Sequence, residues 1–319
     1  MDPPKIGIEL KKKIQQVSKN ITNFLTYSFV QILTWSISAL PYKIRIPLGA
    51  NFFRLIISPG LGNSKKIHQN LSHVMPHLSY SQKNELAKSI TKNIGRTIFE
   101  LFSPEEFSGF ASRAKISGKG FNILKKAHKS GRPVILVSGH YGNYDVVRAK
   151  LKKEKIAVGA LYKPMQNKYF NRLYLKKISS INKPLFPKDR TGMSKMMKYL
   201  KNGNCVAVLF DQVMGKGEPL MFFDQPAYTA TSVAKMAIKY DALLIPFFSE
   251  RLKDGLNFNL YFGEPISHKD PKKMTQFLND LLEDKIRNNM DQWLWTHRRW
   301  KVPPNISPKD YATKKFLNR

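Results

Sequence analysis

Apolar and polar positions alternate along the second half of the chain in blocks that have the lengths of strands and helices. Five short, nearly continuous apolar runs cover residues 134–137, 156–161, 206–210, 243–248 and 258–262. Longer, polar-punctuated segments of helical length occur between some of them, at residues 167–178, 193–201 and 229–239. Apolar runs without alternation are typical of strands that are buried on both faces of a sheet. The pattern therefore predicts an α/β domain.

A separate amphipathic pattern precedes this domain. Between residues 80 and 102, apolar residues recur at helical spacing, at Leu86, Ile90, Ile94, Ile98 and Leu101. Ser79 and Ser81 are candidate N-caps, and Pro104 ends the pattern. We expect one helix over this range.

The N-terminal region contains an uncharged segment that suggests a membrane. Residues 21–40 hold twelve apolar or aromatic residues among twenty, which is long enough to span a bilayer. Eight polar residues make it a poor spanning helix. At helical spacing Asn23, Gln31, Thr34 and Ser38 form one stripe, with most large apolar side chains away from it. Lys and Arg residues flank both ends. We expect a helix that lies in the interface of an anionic membrane, with an ordinary buried helix as the alternative.

These patterns divide the chain into three parts. Residues 1–64 form a helical membrane-associating extension, residues 65–304 a catalytic domain, and residues 305–319 a basic C-terminal tail. The apolar content of 42% in 319 residues excludes a chain that is disordered throughout.

Charge and cysteine content narrow the functional classes. The 54 Lys and Arg residues against 22 Asp and Glu residues give a net charge of +32. This excess reflects either a biased composition or a surface for anionic partners. Cys205 is the single cysteine of the sequence, which excludes a disulfide framework and a cysteine-based zinc site.

The sharpest local motif follows the first apolar run of the α/β domain. That run leads into Gly139 and His140, and Asp145 follows five positions later. Folds of this class place ligands and chemistry at the carboxyl ends of strands. A neutral imidazole accepts a proton from an alcohol only when its tautomer is fixed, and the carboxylate of Asp145 would fix it. The alternative is that His140 caps a helix and Asp145 is a solvated acid in its first turn.

Other site classes have weaker support. No Gly-x-Ser-x-Gly motif for a nucleophilic serine occurs. The histidines lack ligand spacing, so we expect neither a metal site nor a cofactor. Asp211 and Gln212 follow another apolar run, and Gly215 and Gly217 then indicate a loop. Near the C-terminus three tryptophans accompany a basic cluster at residues 292–301, which would suit nucleic acid, a membrane interface or a packed terminal segment.

Taken in order, the segments of residues 65–304 resemble the bacterial lipid A biosynthesis acyltransferase family. The segments that carry the resemblance are Asn70-Leu71 with Pro76, residues 93–96 with Glu100, residues 138–145, Tyr162-Lys163-Pro164 with Asn167, residues 200–203, Asp211-Gln212, residues 222–229 and residues 292–301. The resemblance implies a mixed sheet flanked by helices, of the glycerolipid-acyltransferase type. It also implies that the protein acts at the cytoplasmic face of the bacterial inner membrane.

The reaction implied by the resemblance is acyl transfer from an acyl thioester, usually on acyl carrier protein, to a hydroxyl of a phosphorylated disaccharide lipid. His140 would be the general base and Asp145 would orient it. Because an activated alcohol attacks a thioester directly, no covalent intermediate is needed. Asn143 or backbone N–H groups would stabilise the oxyanion.

Four further residues are expected to bind substrate, namely Lys163, Arg190, Asp211 and Gln212. Lys163 stands where the family is expected to have an arginine, and lysine does not fork a phosphate bidentately. Arg190 is a second candidate for that task.

Two other interpretations remain. One is an acyl-CoA-dependent acyltransferase acting on another phosphoglycolipid or on a lysophospholipid, since those families share the His-x4-Asp signature. The other is a basic nucleic-acid-binding protein, for which the sequence has no recognisable motif, so we expect no specific nucleic acid partner.

Overall fold

The computed structural model describes residues 3–301, which build a seven-stranded sheet covered by helices. The strands of this sheet are β1 (Lys115–Ser117), β2 (Val134–Ser138), β3 (Val158–Tyr162), β4 (Leu185–Pro187), β5 (Cys205–Leu209), β8 (Leu243–Arg251) and β9 (Phe258–Phe262). Strands β6 (Val213–Phe222) and β7 (Gln225–Thr229) form a separate hairpin.

The helices before β2 are α1 (Pro3–Ser38), α2 (Tyr42–Phe52), α3 (Ser58–Gly60), α4 (Asn63–Val74), α5 (Tyr80–Leu101), α6 (Pro104–Ser112) and α7 (Gly120–Lys129). A π-helical turn, Phe53–Ile57, joins α2 to α3. The later helices are α8 (Asp145–Lys153), α9 (Lys168–Ile181), α10 (Arg190–Lys201), α11 (Ser232–Lys239) and α12 (Pro271–Asn288), followed by a 3-10 turn, Met290–Gln292.

The strand order of the sheet is β1-β9-β8-β2-β5-β3-β4. Neighbouring strands from β8 to β4 are parallel, whereas β9 pairs antiparallel with β8, so the predicted mixed α/β sheet is confirmed. Because parallel strands point the same way, the carboxyl ends of β2, β5, β3 and β4 lie along one edge. This edge, which we call the catalytic edge, carries the predicted site residues.

The sheet separates two apolar cores. All five residues of β2 are buried. Ile135 and Val137 pack into one core with α4, α5 and α10 to α12, while Val134 and Leu136 pack into the other with α6, α7 and α8. Burial on both faces explains why these strands read as continuous apolar runs.

Most predicted elements are present, including the helix over residues 80–102. Helix α5 begins at a capping box in which Ser79 and Gln82 satisfy each other's backbone N–H groups. The loop predicted around Gly215 and Gly217 is instead part of strand β6. Its hairpin turns at Phe223 and Asp224, which both have positive φ (54° and 55°). Such a turn normally has Asn-Gly or Asp-Gly, so the sequence did not indicate it.

The N-terminal segment lies within one long helix, α1. Asn23 and Gln31 on its polar stripe are partly buried, whereas Phe24, Ile32 and Trp35 on its apolar side are exposed. Among the helices of residues 3–301, none is sufficiently long and apolar to cross a membrane. The side chain of Thr34 and the basic tail at residues 305–319 lie outside the described parts.

Candidate active site

A short loop between β2 and α8 holds His140, and two glycines allow it to pass close to other parts of the protein. A Cβ at Gly139 would lie 2.6 Å from Leu282 and 3.0 Å from the carboxylate of Asp211. Gly142 has a φ of +56°, and a Cβ there would lie 1.7 Å from the carbonyl oxygen of Ser249. A larger residue at either position would force its neighbours to move.

The imidazole of His140 pairs with the carboxylate of Asp211, which follows the neighbouring strand β5. Nδ1 of His140 lies 2.7 Å from Oδ1 of Asp211, and the backbone N–H of His140 donates to Oδ2 at 2.8 Å. The side chain of Asp211 is only 3% exposed, whereas that of His140 is 17% exposed. The carboxylate is therefore inside the protein and the imidazole faces its surface.

Asp211 is held in its charged form by donors from three sides. Burial alone would raise the pKa of Asp211. The positive charge that the ring of His140 carries when protonated, together with hydrogen bonds from the ring and backbone of His140 and from the indole N–H of Trp293, lowers the pKa below its ordinary value. The indole nitrogen of Trp293 donates to Oδ2 at 2.8 Å. A charged acceptor at Nδ1 keeps the proton of a neutral imidazole on that nitrogen.

The other ring nitrogen of His140 is directed toward Gln212. The side-chain amide nitrogen of Gln212 lies 3.3 Å from Nε2. With the proton on Nδ1, Nε2 carries the lone pair, so the amide of Gln212 donates to it. A hydroxyl that enters beside Gln212 would meet a proton acceptor in the correct tautomer.

The C-terminal segment forms the scaffold of this loop. The N–H of Leu294 donates to the carbonyl of His140 at 3.0 Å, and that of Gly142 donates to the carbonyl of Gln292 at 2.7 Å. Trp293, Trp295 and Trp300 are buried among one another and Phe222. The sequence suggested that this cluster binds nucleic acid, lies in a membrane interface or packs as a terminal segment. Because the tryptophans are buried, the structure favours the packed terminal segment.

The buried arginine of the same segment supports this conclusion. Arg299 is fully buried, and its guanidinium donates to Thr229 and to the carbonyl of Tyr228. It is thus not available to nucleic acid.

Asp145 differs from the sequence prediction in its partner. Its carboxylate accepts a hydrogen bond from Arg148 at 2.7 Å, and the carboxylate on the ring of His140 is that of Asp211. Helix α8 begins at Asp145, which places its side chain beside the residue three positions later. Arg148 also donates to the carbonyl of Asn182 at 2.6 Å, so Asp145 belongs to a buried junction between α8 and the end of α9.

Asn143 also has a different environment from the predicted one. Its side chain is buried, and its amide nitrogen donates to Glu100 at 2.8 Å. Its oxygen accepts from the N–H of Asp145 at 3.0 Å. Glu100 is itself paired with the guanidinium of Arg251, with one N–O distance of 2.7 Å. The amide of Asn143 is therefore engaged in a buried network that fixes the loop, not directed toward an oxyanion.

Lys163 and Arg190 lie on the catalytic edge but further along it. Lys163 directly follows β3, and Arg190 begins α10 shortly after β4; both are exposed. The order β2-β5-β3-β4 puts these strand ends two and three positions from the end of β2, which corresponds to about 10 and 14 Å.

The structure adds two residues that the sequence did not indicate as parts of this site. Trp293 contacts Asp211, and half-buried His297 feels the charges of both Asp211 and His140, although burial is the main cause of its lowered pKa. Asp211 and Trp293 are 82 positions apart, so no local spacing could have revealed their contact.

Comparison with known proteins identifies the family of the chain. Residues 12–302 match the sequence profile of the bacterial lipid A biosynthesis acyltransferases. The chain belongs to this family. The match extends well into the N-terminal extension and includes every residue of the site.

Individual members of the family are distant relatives. The chain is 24% identical to the lipid A biosynthesis lauroyltransferase of Escherichia coli K12 over 298 residues, covering 90% of this chain and 95% of the relative. It is 23% identical to a lipid A biosynthesis acyltransferase of Haemophilus influenzae, covering 85% and 88%. It is 22% identical to the E. coli lipid A biosynthesis palmitoleoyltransferase, covering 88% and 92%. This lipid A acyltransferase is therefore an enzyme that transfers acyl groups, as the sequence motifs predicted.

Proposed function

We propose that the enzyme moves a fatty acyl chain from an acyl thioester, carried by acyl carrier protein, to a hydroxyl of a phosphorylated lipid A precursor. His140 acts as the general base and Asp211 orients it. In this proposal Asp211 has the role that the sequence alone suggested for Asp145. The observation that carries it is the pairing of Nδ1 of His140 with buried Asp211, which leaves the lone pair of the neutral ring on Nε2, beside Gln212.

The reaction proceeds without a covalent enzyme intermediate. Nε2 of His140 takes the proton of the acceptor hydroxyl as the hydroxyl oxygen attacks the thioester carbonyl. Asp211 stabilises the imidazolium that results. Collapse of the tetrahedral species expels the carrier's thiolate, which receives a proton from the imidazolium. Ester formation thus needs one base and one set of oxyanion donors.

Gln212 is the side chain best placed to donate a hydrogen bond to the oxyanion that forms from the thioester carbonyl. Its amide nitrogen lies 3.3 Å from Nε2 of His140, where the hydroxyl must enter. When the hydroxyl takes this place, the amide is released to donate to the developing oxyanion. Since the amide of Asn143 is bound to Glu100, we assign this function to Gln212 rather than to Asn143.

Phosphate groups of the acceptor fit the far part of the catalytic edge. Lys163 and Arg190 are exposed cations near strand ends that lie about 10 and 14 Å from the end of β2. A phosphorylated disaccharide is long enough to bridge such a distance. The net charge of +32 would also attract acidic carrier protein and anionic lipid.

Membrane association at the cytoplasmic face of the inner membrane completes the proposal. Helix α1 packs against α9 through Phe24 and Tyr27 on the ring of Tyr169. A row of large apolar side chains is exposed on α1, namely Ile14, Val17, Ile21, Leu25, Ile32 and Trp35. An exposed apolar stripe with basic residues around it is typical of a helix that lies in a membrane interface.

The test is acyl transfer by purified protein, followed by mass spectrometry of the lipid product. Acyl carrier protein and coenzyme A thioesters are supplied separately, each with a lipid A precursor and with a lysophospholipid. We expect an acylated lipid A precursor from the carrier-protein donor and its loss in His140→Ala, with unchanged circular dichroism. Equal rates for His140→Ala and the parent would refute the mechanism, whereas product only from coenzyme A or lysophospholipid would refute the substrate assignment.

A further inference from the structure

Helix α2 and the turns after it are apolar on both sides. Tyr42, Ile46, Ala50 and Phe53 are buried against the protein. On the opposite side Ile44, Leu48, Leu55, Ile56 and Leu61 are between 51% and 65% exposed. We call these five residues the α2–α3 face. A helical segment with large apolar side chains on two opposite sides is normally covered on both, whereas these five side chains are exposed in the described part of the chain.

We infer that the α2–α3 face is a second surface that contacts the bilayer, in addition to the exposed apolar row on α1. Its partner is an anionic membrane. The inference rests on the proposed function, because it concerns where an enzyme with a lipid acceptor meets that lipid. Five large aliphatic side chains in one patch exceed the scattered apolar exposure that soluble surfaces tolerate.

The charges around the face favour anionic lipid over other apolar partners. Residues 10–84 contain no Asp or Glu but ten Lys and Arg residues. Lys43 and Lys65 flank the face and are exposed. Two acids of other helices lie nearby, since Glu106 pairs with Arg45 and Glu85 feels the charge of Arg54. The charged residues of the segment itself are all cations, and aliphatic side chains among cations match a surface with apolar depth and negative headgroups. A second copy of this chain would instead bring like charges together.

One helix, α5, separates the face from the loop between β2 and α8, residues 139–144, which we call the catalytic loop. Helix α2 packs so tightly on α5 that a Cβ at Gly49 would lie 2.4 Å from Phe99, and one at Gly95 would lie 2.9 Å from the Cα of Ala50. Further along α5, Glu100 contacts Asn143 of the catalytic loop. A bilayer seated on the α2–α3 face is thus held close to the loop that carries His140.

The experiment compares two triple variants of the full chain. The test variant is Leu48→Gln, Leu55→Gln and Ile56→Gln, which removes apolar surface without changing charge. The matched control is Tyr80→Gln, Ile238→Gln and Phe277→Gln, which changes three exposed apolar residues elsewhere, with exposures of 77%, 39% and 49%. Both are made in an Ile32→Gln, Trp35→Gln background, so that α1 does not dominate binding.

Co-sedimentation with phosphatidylcholine vesicles, with and without phosphatidylglycerol, measures binding. We expect the test variant to bind the anionic vesicles at least about tenfold more weakly than the background protein, and the control to change by less than about twofold. Acyl transfer is measured with the acceptor in vesicles and in detergent micelles. The ratio of vesicle to micelle activity should fall at least about fivefold in the test variant only.

Three results would overturn the inference. One is equal vesicle binding by the test variant and the control. Another is a loss of binding that does not depend on phosphatidylglycerol. The third is a shift from dimer to monomer in light scattering of the test variant, which would make the face a contact between copies. If neither the background protein nor any variant transfers acyl groups in micelles, the proposed function is refuted. Vesicle binding would still show whether the α2–α3 face contacts the membrane.

Discussion

Replacing Asp211 by asparagine tests which carboxylate controls His140. In the parent protein Oδ1 accepts from Nδ1 of His140, and Oδ2 accepts from the backbone of His140 and from Trp293. In the Asp211→Asn variant these two donors hold the remaining side-chain oxygen at the position of Oδ2, so the new amide nitrogen must face Nδ1. An amide N–H there forces Nδ1 to be an acceptor and moves the ring proton to Nε2. The general base is then in the wrong tautomer.

The expected loss follows from the tautomer and not from stability. A base whose orienting carboxylate is replaced by an amide typically loses about 10³–10⁴-fold in kcat. This corresponds to about 4–5.5 kcal/mol of transition-state stabilisation. Because both buried donors to Oδ2 keep their acceptor, we expect Asp211→Asn to be destabilised by no more than about 1.5–3 kcal/mol.

The assay is the initial rate of acyl transfer to the lipid A precursor, measured with Asp145→Asn in parallel. Asp145→Asn should keep its rate within about tenfold, because its carboxylate contacts Arg148 rather than the imidazole. Urea denaturation of both variants separates misfolding from loss of chemistry. An Asp211→Asn enzyme as active as the parent, together with an inactive but folded Asp145→Asn enzyme, would refute the assignment of Asp211.

Three further predictions concern the surroundings of the loop. Glu100→Gln leaves Arg251 buried without its counter-charge and should cost about 3–5 kcal/mol in urea denaturation. A loss smaller than about 1 kcal/mol would contradict this. Gly142→Ala should lower both the stability and the activity of the enzyme. Gly131 has a φ of +68° but open space around it, so Gly131→Ala should lower the free energy of unfolding by about 1 kcal/mol and leave activity unchanged. Thermal unfolding and initial rates of both variants check this. The folded-state pKa of Asp211 lies below its unfolded value of about 3.9, so its stabilising effect is complete above that pH and is lost as pH falls further. The stability difference between parent and Asp211→Asn in urea should therefore shrink from about pH 5 to about pH 3, and a constant difference would contradict the shift.

The sheet was predictable because its strands are buried on both faces, and burial leaves continuous apolar runs such as residues 134–137. Helix α5 was predictable from its period and its cap at Ser79. The hairpin of β6 and β7 was not, because Phe223 and Asp224 adopt positive φ without the usual glycine. What could not be predicted was therefore local backbone conformation that tertiary packing imposes.

The arrangement of the candidate site follows only in part from the sequence, for a similar reason. The position of His140 follows from local sequence, since it comes shortly after a buried strand. Its acid partner does not, because 71 residues separate it from Asp211 and the contact depends on β2 and β5 being neighbours. Asp145 had the attractive spacing, but the start of α8 directs it to Arg148. Spacing along the chain reports helical neighbours, whereas parallel strand ends create contacts that spacing cannot show.

The two acids near His140 have different partners, because Asp145 pairs with Arg148 and Asp211 pairs with the imidazole. Asp145 and Asn143 tie the catalytic loop to α9 and α5 through Arg148 and Glu100, and their side chains are largely buried. Asp211 combines a charged form with contact to the imidazole. A rigid loop would keep the proposed base, His140, in one direction while a bulky lipid enters and leaves. The same helix α5 that fixes the loop through Glu100 also supports the α2–α3 face, so a membrane bound to that face would share one rigid support with His140, the proposed base.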